Sequence, residues 1–210
     1  MVERHEQALE RLPWSHETLL VVNGSRDDSY DVCRRLDVRF EVVRTILLEQ
    51  GGWGRAVKAG LAEASGKHLC YSNSARTSAE DLLLLLLYAL ANPNTVVKAE
   101  RKIRDSVLRR LGSLLYNLEC RALFDLTYWD INGTPKVFPR QFERLLHLQR
   151  DDDLIDLEFC VVCRQQQLPV IEVPILAATR HGGSSTTRLG SAMRLYAGAW
   201  QMSRDHRQQS

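Results

Sequence analysis

The sequence predicts an α/β protein in which helices flank a mostly parallel β-sheet. Short apolar segments that end in polar turns alternate with longer segments whose apolar residues recur at helical spacing. This alternation is typical of strands joined by helical crossovers. The chain has 210 residues and carries no internal repeat or low-complexity linker, so we expect one domain over residues 1–210.

Each predicted strand contains a short run of apolar residues, and several of these runs are followed by polar residues or glycine. The first runs into Asn23-Gly24-Ser25, and the third runs into Ser72. In chain order the predicted strands are residues 19–22, 40–48, 69–71, 95–99 and 170–175.

The predicted helices are bounded by residues that commonly start or stop a helix. Pro13 ends the first helix, the glycine-rich segment 51–54 opens the third, and Gly66 follows its end. In chain order the predicted helices are residues 3–12, 30–36, 55–64, 80–90, 106–126, 142–148, 154–163 and 191–202. Residues 182–187 are predicted to form a polar loop.

The composition limits the classes of function. A formal net charge of +2 is too small to predict nucleic-acid binding by itself. The longest apolar run, Leu82 to Leu90, is far shorter than the roughly 20 residues that a membrane-spanning helix needs. Five cysteines without framework spacing fit a reducing compartment, so we expect a cytoplasmic protein.

Polar side chains and glycines stand where two predicted strands end. This edge of an open α/β sheet is the usual ligand site, so segments 23–28 and 72–77 are candidates for nucleotide and diphosphate contacts. Gly52 and Gly54 open a helix, where free backbone N–H groups favour an anion. Each signal alone also fits ordinary turn chemistry, because Asn-Gly and Asp-Asp are common in turns.

Charged clusters give further candidates. The basic residues between Lys98 and Arg110 could converge on a phosphorylated substrate, or they could form a solvated face. The acids Asp151–Asp153, with Asp156 and Glu158, could form a metal site or supply a catalytic base, although acids at the start of a helix also complement its dipole. Segment 130–138 combines an acid, a tight turn and a lysine, and by itself it predicts a loop at a strand edge.

Six motif-like segments follow one another along the chain. They are residues 21–27, 52–60, 72–81, 97–117, 130–138 and 172–185. In this order they resemble the motifs of family 2 glycosyltransferases, among them the Asp-Asp-Gly-Ser strand end, the Gly-x-Gly-x-Ala-x-x-x-Gly helix and the Asp-x-Asp strand end. The likeness is greatest to the branch of polyprenyl-phosphate (dolichol-phosphate) mannosyltransferases.

The resemblance implies a GT-A (Rossmann-like) fold and the transfer of a sugar from a nucleoside diphosphate donor to a polyprenyl phosphate or a similar acceptor. It implies donor contacts from Asn23, Gly24, Ser25, Asp27, Gly52, Gly54, Ser72, Asn73, Ser74 and Arg76. It implies acceptor or phosphate contacts from Arg101, Arg110, Ser113, Lys136 and Arg180. If a hydroxyl acceptor needs a base, Asp130 or Asp153 is the candidate. A lipid acceptor would bring the protein to the inner face of the membrane.

Three departures from the family pattern change what we expect. Ser72-Asn73-Ser74 replaces the Asp-x-Asp motif, and because Mg²⁺ and Mn²⁺ prefer carboxylate oxygens, we predict no metal site there. Arg76 is then the expected cation at the diphosphate. Val22-Asn23 replaces the acidic pair of the nucleotide-binding strand. The family's first strand is not recognisable before residue 19, so we expect an N-terminally shortened sheet whose unpaired groups need partners, for example in an oligomer.

Two other classes of function stay open. A catalytically inactive relative that binds a nucleotide-sugar or acts as a partner subunit fits the replaced acids. A basic module for RNA or anionic membrane fits the run from Lys98 to Arg110, and it predicts steep salt dependence without a preference for sugar nucleotides. The glycosyltransferase interpretation, which we place first, expects no nucleic-acid partner.

Overall fold

A computed structural model describes residues 1–74, 76–102, 107–176 and 189–209. Helices and strands alternate along these residues, which confirms the predicted α/β class. The strands are β1 (Thr18–Asn23), β2 (Val43–Leu48), β3 (His68–Tyr71), β4 (Val96–Arg101), β5 (Lys136–Pro139) and β6 (Val170–Ile175). The helices are α1 (Val2–Leu9), α2 (Ser29–Arg39), α3 (Trp53–Glu63), α4 (Ala79–Ala91), α5 (Val107–Phe124), α6 (Ile155–Gln165) and α7 (Leu189–Gln209). Over the same residues, no helix is both long and apolar enough to cross a membrane.

The strands form two separate sheets. β1 and β2 pair in parallel, and the other four strands lie in the order β3-β5-β4-β6. β4 and β6 are parallel, whereas β5 runs antiparallel to both β3 and β4. In the larger sheet β3, β4 and β6 run in one direction and β5 is reversed. The strands are therefore mostly parallel, as predicted.

Strand β5 corrects the prediction of a loop over residues 130–138. Lys136–Pro139 is buried along its whole length and lies between two other strands. A lysine in the core and prolines at both ends disfavour a strand on sequence grounds. The strand is tolerated because Asp156 pairs with Lys136 inside the core.

Other predicted boundaries shift by a few residues. The predicted helix over 142–148 is only a short 3-10 helix, Glu143–Leu146. The predicted second strand begins at Val43 instead of residue 40. The predicted loop over 182–187 lies outside the described residues.

Aromatic side chains join the larger sheet to helices α3 and α6. Tyr71 of β3 and Phe138 of β5 both meet Phe159 of α6 edge to face, with ring centroids 5.8 and 5.5 Å apart. Trp53, at the start of α3, meets Tyr71 with ring centroids 6.1 Å apart. Such edge-to-face pairs stabilise a core beyond their buried area. They fix the carboxyl end of β3, where the candidate site begins.

Candidate functional site

The loops after β1 and β2 are bonded to each other at the carboxyl edge of the sheet. The side-chain oxygen Oδ1 of Asn23 accepts a hydrogen bond from the backbone N–H of Gly52 at 2.8 Å. Gly24 has a φ of +63°, and a Cβ on it would lie 2.4 Å from the backbone nitrogen of Gly51. Glycine is required there both by the left-handed backbone and by the close approach. Three predicted donor residues, Asn23, Gly24 and Gly52, are thereby brought together.

The start of α3 is bonded to an acidic loop about 100 residues later in the chain. The backbone N–H groups of Gly54 and Arg55 donate to the carbonyl oxygens of Asp152 and Asp151, at 3.2 and 3.1 Å. The sequence suggested that these N–H groups would face an anion. Two of them instead satisfy protein carbonyls, so the glycines at this helix start serve the close packing of two loops.

The three acids of this loop differ in their surroundings. Asp151 is exposed, and hydrogen bonds from Lys58 and Arg55 lower its pKa. Asp152 accepts from the backbone N–H of Leu154, the residue before α6, at 3.1 Å. Asp153 is exposed, yet the surrounding protein removes part of its hydration and raises its pKa, and the negative charges of Asp152 and Asp156 add to this. A raised carboxyl pKa is a property that a general base can use.

The segment after β3 forms a tight turn. The carbonyl oxygen of Asn73 accepts from the backbone N–H groups of Arg76 and Thr77, at 3.1 and 3.2 Å. The hydroxyl groups of Ser72 and Thr77 are hydrogen-bonded to each other. Asn73 and Ser74 are exposed at the tip, and Arg76 is half-buried. The predicted diphosphate-binding residues Ser72, Asn73, Ser74 and Arg76 thus lie close together in the chain after β3.

Asp130 is held by Arg101. Its carboxylate accepts from Nε and Nη2 of Arg101 at 2.7 and 2.8 Å, and from the backbone N–H of the same residue at 3.0 Å. Asp130 is also buried, with 3% of its surface exposed. A bidentate ion pair of this kind fixes both partners. Among the two predicted bases, Asp153 is therefore the more accessible, and the catalytic roles of both stay predictions.

Two lysines beside this pair are fully enclosed. Nζ of Lys98 donates to Glu172 Oε1 and to the carbonyl oxygen of Asp130, both at 2.6 Å. Lys136 has no exposed surface and is paired with Asp156, which also accepts from the Tyr71 hydroxyl at 3.0 Å. Lys136 was expected at the acceptor. The structure places its ammonium group inside the core, and an acceptor contact of Lys136 stays a prediction.

Three other predicted site residues are described, namely Ser25, Asp27 and Ser113, and Ser25 is exposed. Asp27 accepts from the backbone N–H of Ser29, the first residue of α2, at 3.1 Å. Ser113 is half-buried on α5. The side chain of Arg110 and the whole of Arg180 lie outside the described residues.

The chain was compared with protein families and with solved structures. It matches the model of Glycosyl transferase family 2 over residues 4–146, which is more than half of its length. The chain belongs to this family. No relative was found among curated protein sequences. The family membership expected from the sequence motifs is thus confirmed, while the polyprenyl-phosphate branch stays a prediction.

Solved structures share the fold of this family 2 chain. A mycobacterial protein has 15% identity and a TM-score of 0.70 over 95% of this chain and 68% of its own. Glucosyl-3-phosphoglycerate synthase from Mycobacterium tuberculosis, in complex with Mn²⁺, UDP and phosphoglyceric acid, has 16% identity and a TM-score of 0.68 over 89% of this chain and 67% of its own. The same synthase with Mn²⁺, UDP-glucose and glycerol 3-phosphate has 14% identity and a TM-score of 0.66 over 97% and 84%. These similarities confirm the GT-A-like fold.

The residues after β3 do not fit a divalent cation. Ser72, Asn73 and Ser74 offer hydroxyl and amide groups, whereas Mg²⁺ and Mn²⁺ are held mainly by carboxylates. Within the described part of the chain, no three His, Cys, Asp or Glu side chains cluster closely enough to hold a metal ion. Arg76 is the cationic side chain of this turn, and its contact with a diphosphate stays a prediction.

Sequence reasoning missed the contact between the start of α3 and the loop 150–152. Residues far apart in sequence give no local signal for such a contact. The two glycines, Gly52 and Gly54, were the available signal, because a Cβ on either would lie within 2.7 Å of a backbone oxygen of Asp151 or Arg150. The sequence suggested donor contacts for both glycines, which stay a prediction, and it did not show their packing role.

Proposed function

We propose that the chain binds a nucleoside diphosphate sugar at the carboxyl edge of its sheets and transfers the sugar to a phosphorylated acceptor. The observation that carries this proposal is the junction at Asn23 and Gly52. There the loop after β1, the start of α3 and the acidic loop Asp151–Asp153 are joined by hydrogen bonds. In open α/β sheets, loops that meet at this edge form the ligand site.

The proposed donor site has two parts. Asn23, Gly24 and Ser25 lie at the end of β1 and are suited to the nucleoside, through an amide, a hydroxyl and exposed backbone groups. The turn over residues 72–76 ends at Arg76 and is suited to the diphosphate. A fixed guanidinium can stabilise the charge that develops on a departing diphosphate. The similar synthase holds UDP-glucose, which supports a sugar nucleotide as the donor class.

The proposed acceptor carries a phosphate group. The sequence motifs favour a polyprenyl phosphate, and the similar synthase holds phosphoglyceric acid or glycerol 3-phosphate, which are also phosphate monoesters. Arg101 is the candidate contact, since a guanidinium has five donors and Asp130 accepts from two of its side-chain nitrogens. Arg101 keeps 17% of its side chain exposed.

The chemistry depends on which oxygen of the acceptor reacts. The acceptor oxygen bonds to the anomeric carbon as the bond from that carbon to the diphosphate breaks, and the nucleoside diphosphate leaves with the electron pair. A phosphate oxygen is already anionic and needs positioning more than a base. A hydroxyl must lose its proton, and Asp153 is the proposed base because it is accessible and its pKa is raised.

Calorimetric titration of the purified chain with UDP-glucose and GDP-mannose, with Mn²⁺ and with EDTA, tests the donor proposal. We expect saturable binding of one of these donors that persists in EDTA, because Arg76 and not a metal faces the diphosphate. Binding that requires Mn²⁺ would contradict the metal-independent site. Absence of binding under every condition would overturn the donor proposal itself. Transfer assays with polyprenyl phosphate and with 3-phosphoglycerate then identify the acceptor class.

A catalytically inactive relative is the second candidate. It is favoured by Ser72-Asn73-Ser74, which replaces the acids of the family motif. It predicts donor binding without release of nucleoside diphosphate in the presence of any phosphorylated acceptor. Turnover with either acceptor excludes it.

A further inference from the structure

One buried carboxylate accepts hydrogen bonds from two elements of the proposed donor site. Oδ2 of Asp156 accepts from the indole Nε1–H of Trp53 at 2.9 Å, and Oδ1 accepts from the hydroxyl of Tyr71 at 3.0 Å. Asp156 is buried, with 5% of its surface exposed. Each of its oxygens thereby holds a different element, α3 through Trp53 and β3 through Tyr71.

The two donors are neighbours in the chain of the two parts of that site. Trp53 directly follows Gly52, which with Asn23–Ser25 forms what we call the nucleoside segment. Tyr71 is the last residue of β3 and directly precedes residues 72–76, which we call the diphosphate turn. Both parts are therefore one residue away from a side chain that is bonded to the same carboxylate.

Asp156 also links these parts to the acidic loop. It is the second residue of α6 and follows Asp153, the proposed base, by three positions. The carbonyl oxygen of Asp152 in the same loop accepts from the backbone N–H of Gly54 at 3.2 Å. The start of α6 is thus bonded to the start of α3 through both a side chain and the backbone.

The groups that donate to Asp156 keep their protons near neutral pH. Burial and the negative charge of Asp156 raise the pKa of the Tyr71 hydroxyl well above its usual range, and an indole N–H is a donor only. The ammonium group of Lys136 pairs with the same carboxylate and lies 5.4 Å from the centroid of the Tyr71 ring. The carboxylate is therefore surrounded by groups that donate to it.

Packing alone does not require this network. The rings of Trp53 and Tyr71 meet edge to face, and such a contact stabilises a core without the help of an N–H or O–H group. A phenylalanine at either position would pack without burying a polar group, which costs free energy unless it is bonded. A fully satisfied polar network, in contrast, specifies one arrangement of the core. The contacts to Asp156 therefore fix how α3 and β3 lie relative to each other.

We propose that Asp156 is a positioning residue for the donor, which holds the nucleoside segment and the diphosphate turn at a fixed separation through Trp53 and Tyr71. This inference rests on the proposed function, because it assumes that one sugar nucleotide contacts both parts. Its affinity then depends on their separation, since a displacement of about 1 Å can forfeit much of the gain from correct positioning. Asp156 itself does not touch the donor in this proposal.

Substitutions that remove a single donor group test the proposal without leaving Lys136 unpaired. Trp53→Phe and Tyr71→Phe each remove one hydrogen bond and keep an aromatic ring. Tyr196→Phe is the matched control, because the Tyr196 hydroxyl donates to the carbonyl oxygen of Gly112 at 2.6 Å and so joins α7 to α5. It removes one hydrogen bond of the same kind between two other elements.

Two measurements separate positioning from folding. The first is the Kd, measured by calorimetry in EDTA, of UDP-glucose or GDP-mannose, whichever the wild type binds. The second is amide hydrogen exchange at Arg76 and Thr77, after β3, and at Gly54 and Arg55, in the first turn of α3. All four amides donate to backbone carbonyl oxygens, so local loosening of either element exposes them.

We expect Trp53→Phe and Tyr71→Phe each to raise the Kd about 5- to 10-fold, as the loss of one hydrogen bond commonly does. Tyr196→Phe should change it less than about twofold, because distant sites act independently. The double variant should raise the Kd by less than the product of the two single effects, since both act through one carboxylate.

Exchange should follow the same division. Compared with Tyr196→Phe, Tyr71→Phe should speed exchange at Arg76 and Thr77 about tenfold, and Trp53→Phe should do so at Gly54 and Arg55.

Kd values and exchange rates equal to those of Tyr196→Phe would overturn the proposal and leave Asp156 a role in folding alone. If the wild type binds neither sugar nucleotide, the proposed function fails instead. Exchange then decides whether Asp156 positions the two elements, and unchanged rates in Trp53→Phe and Tyr71→Phe would overturn that as well.

Discussion

Gly54 and Asp152 are in direct backbone contact. The N–H of Gly54 donates to the carbonyl oxygen of Asp152 at 3.2 Å, and a Cβ on Gly54 would lie 2.9 Å from that oxygen. The same Cβ would lie 2.3 Å from the carbonyl oxygen of Arg150. This contact joins the first turn of α3 to the acidic loop before α6.

Gly54→Ala is expected to displace this loop. The obstructing atoms belong to the backbone and cannot rotate away, so overpacking should lower the free energy of unfolding by about 1–3 kcal/mol. Chemical denaturation measures the loss. Gly112→Ala is the matched control, because a Cβ there meets nothing within 4 Å and Ala should stabilise a helix by about 0.5–1 kcal/mol. Equal stability of the two variants would contradict the packing role of Gly54.

The ion pair between Lys136 and Asp156 should be essential for stability. Lys136 has no exposed surface, and Asp156 also accepts hydrogen bonds from Tyr71 and Trp53, at 3.0 and 2.9 Å. Asp156→Ala leaves a buried ammonium group without its partner, which typically costs about 3–5 kcal/mol. We expect a loss of this size in the free energy of unfolding.

An exposed ion pair provides the control for Asp156→Ala. Lys102 pairs with Glu100 at 2.5 Å, but 52% of its side chain is exposed. Surface pairs contribute about 0–1 kcal/mol, so Lys102→Ala should leave the free energy of unfolding nearly unchanged. If Asp156→Ala lowered the free energy of unfolding as little as Lys102→Ala does, the ammonium group of Lys136 would not be confined to the core.

The order of elements could be predicted from the sequence because it rests on local patterns. Apolar runs such as Leu19 to Val22 define strands, and helical spacing defines α3 and α6. The resemblance to the family motifs predicted the GT-A-like fold. It also indicated the two segments of the proposed donor site, residues 23–25 and 72–76. These signals lie within short windows of the chain, where periodicity and turn chemistry act.

The contacts that build the site could not be predicted because they join distant residues. β5 was missed since Lys136 is acceptable in a core strand only when Asp156, 20 residues later, neutralises it. The packing role of Gly54 was missed because the sequence does not show that the carbonyl oxygens of Arg150 and Asp152 approach it. In both cases a tertiary contact overrides a local preference.

Arg76→Ala is expected to weaken donor binding. If the guanidinium bonds the diphosphate, its loss removes a charge-assisted interaction, and the Kd for the sugar nucleotide should rise about 10- to 100-fold. Arg34→Ala is the matched control, because Arg34 lies on α2, is 53% exposed and pairs with Asp37. Calorimetric titration of both variants with the sugar nucleotide in EDTA measures the two Kd values. An unchanged Kd for Arg76→Ala would remove the fixed cation from the proposed donor site.

Asp153→Asn should separate catalysis from stability. As a base for a hydroxyl acceptor, ionised Asp153 should contribute about 100-fold or more to kcat, and activity should fall as the pH drops through its raised pKa. Because the folded state raises this pKa, the stabilising contribution of the carboxyl is present below its unfolded pKa and is lost as the pH rises through the folded value. The variant should therefore lose activity at neutral pH while its Tm stays equal or rises.

The measurements for Asp153→Asn are a pH–rate profile with a hydroxyl acceptor and a thermal melt at neutral pH. The acidic limb of the profile should disappear in the variant. Asp151→Asn is the control, since hydrogen bonds from Lys58 and Arg55 lower the pKa of Asp151 and leave it a poor base. An unaltered acidic limb in Asp153→Asn would assign the base to another residue, such as Asp130.

Glu17 should make the stability of the protein depend on pH in the acidic range. Burial alone would raise its pKa, but hydrogen bonds from Ser65, Arg44 and Gly66 lower it to about 2. A depressed carboxyl pKa gives stability that is present above the unfolded value, roughly 4.3, and is lost as the pH falls toward the folded value. Glu17→Gln should lower the free energy of unfolding by about 1–3 kcal/mol at pH 7.

The difference between the wild type and Glu17→Gln should shrink as the pH falls from about 5 toward 2, which denaturant titrations at several pH values can follow. Glu63→Gln is the control, because Glu63 is 61% exposed and lies 3.9 Å from Arg44. It should change stability little at any pH. If the difference in the free energy of unfolding between the wild type and Glu17→Gln is constant over the whole pH range, Glu17 acts through neutral hydrogen bonds. Its negative charge would then not contribute to holding the start of β1 against the end of α3.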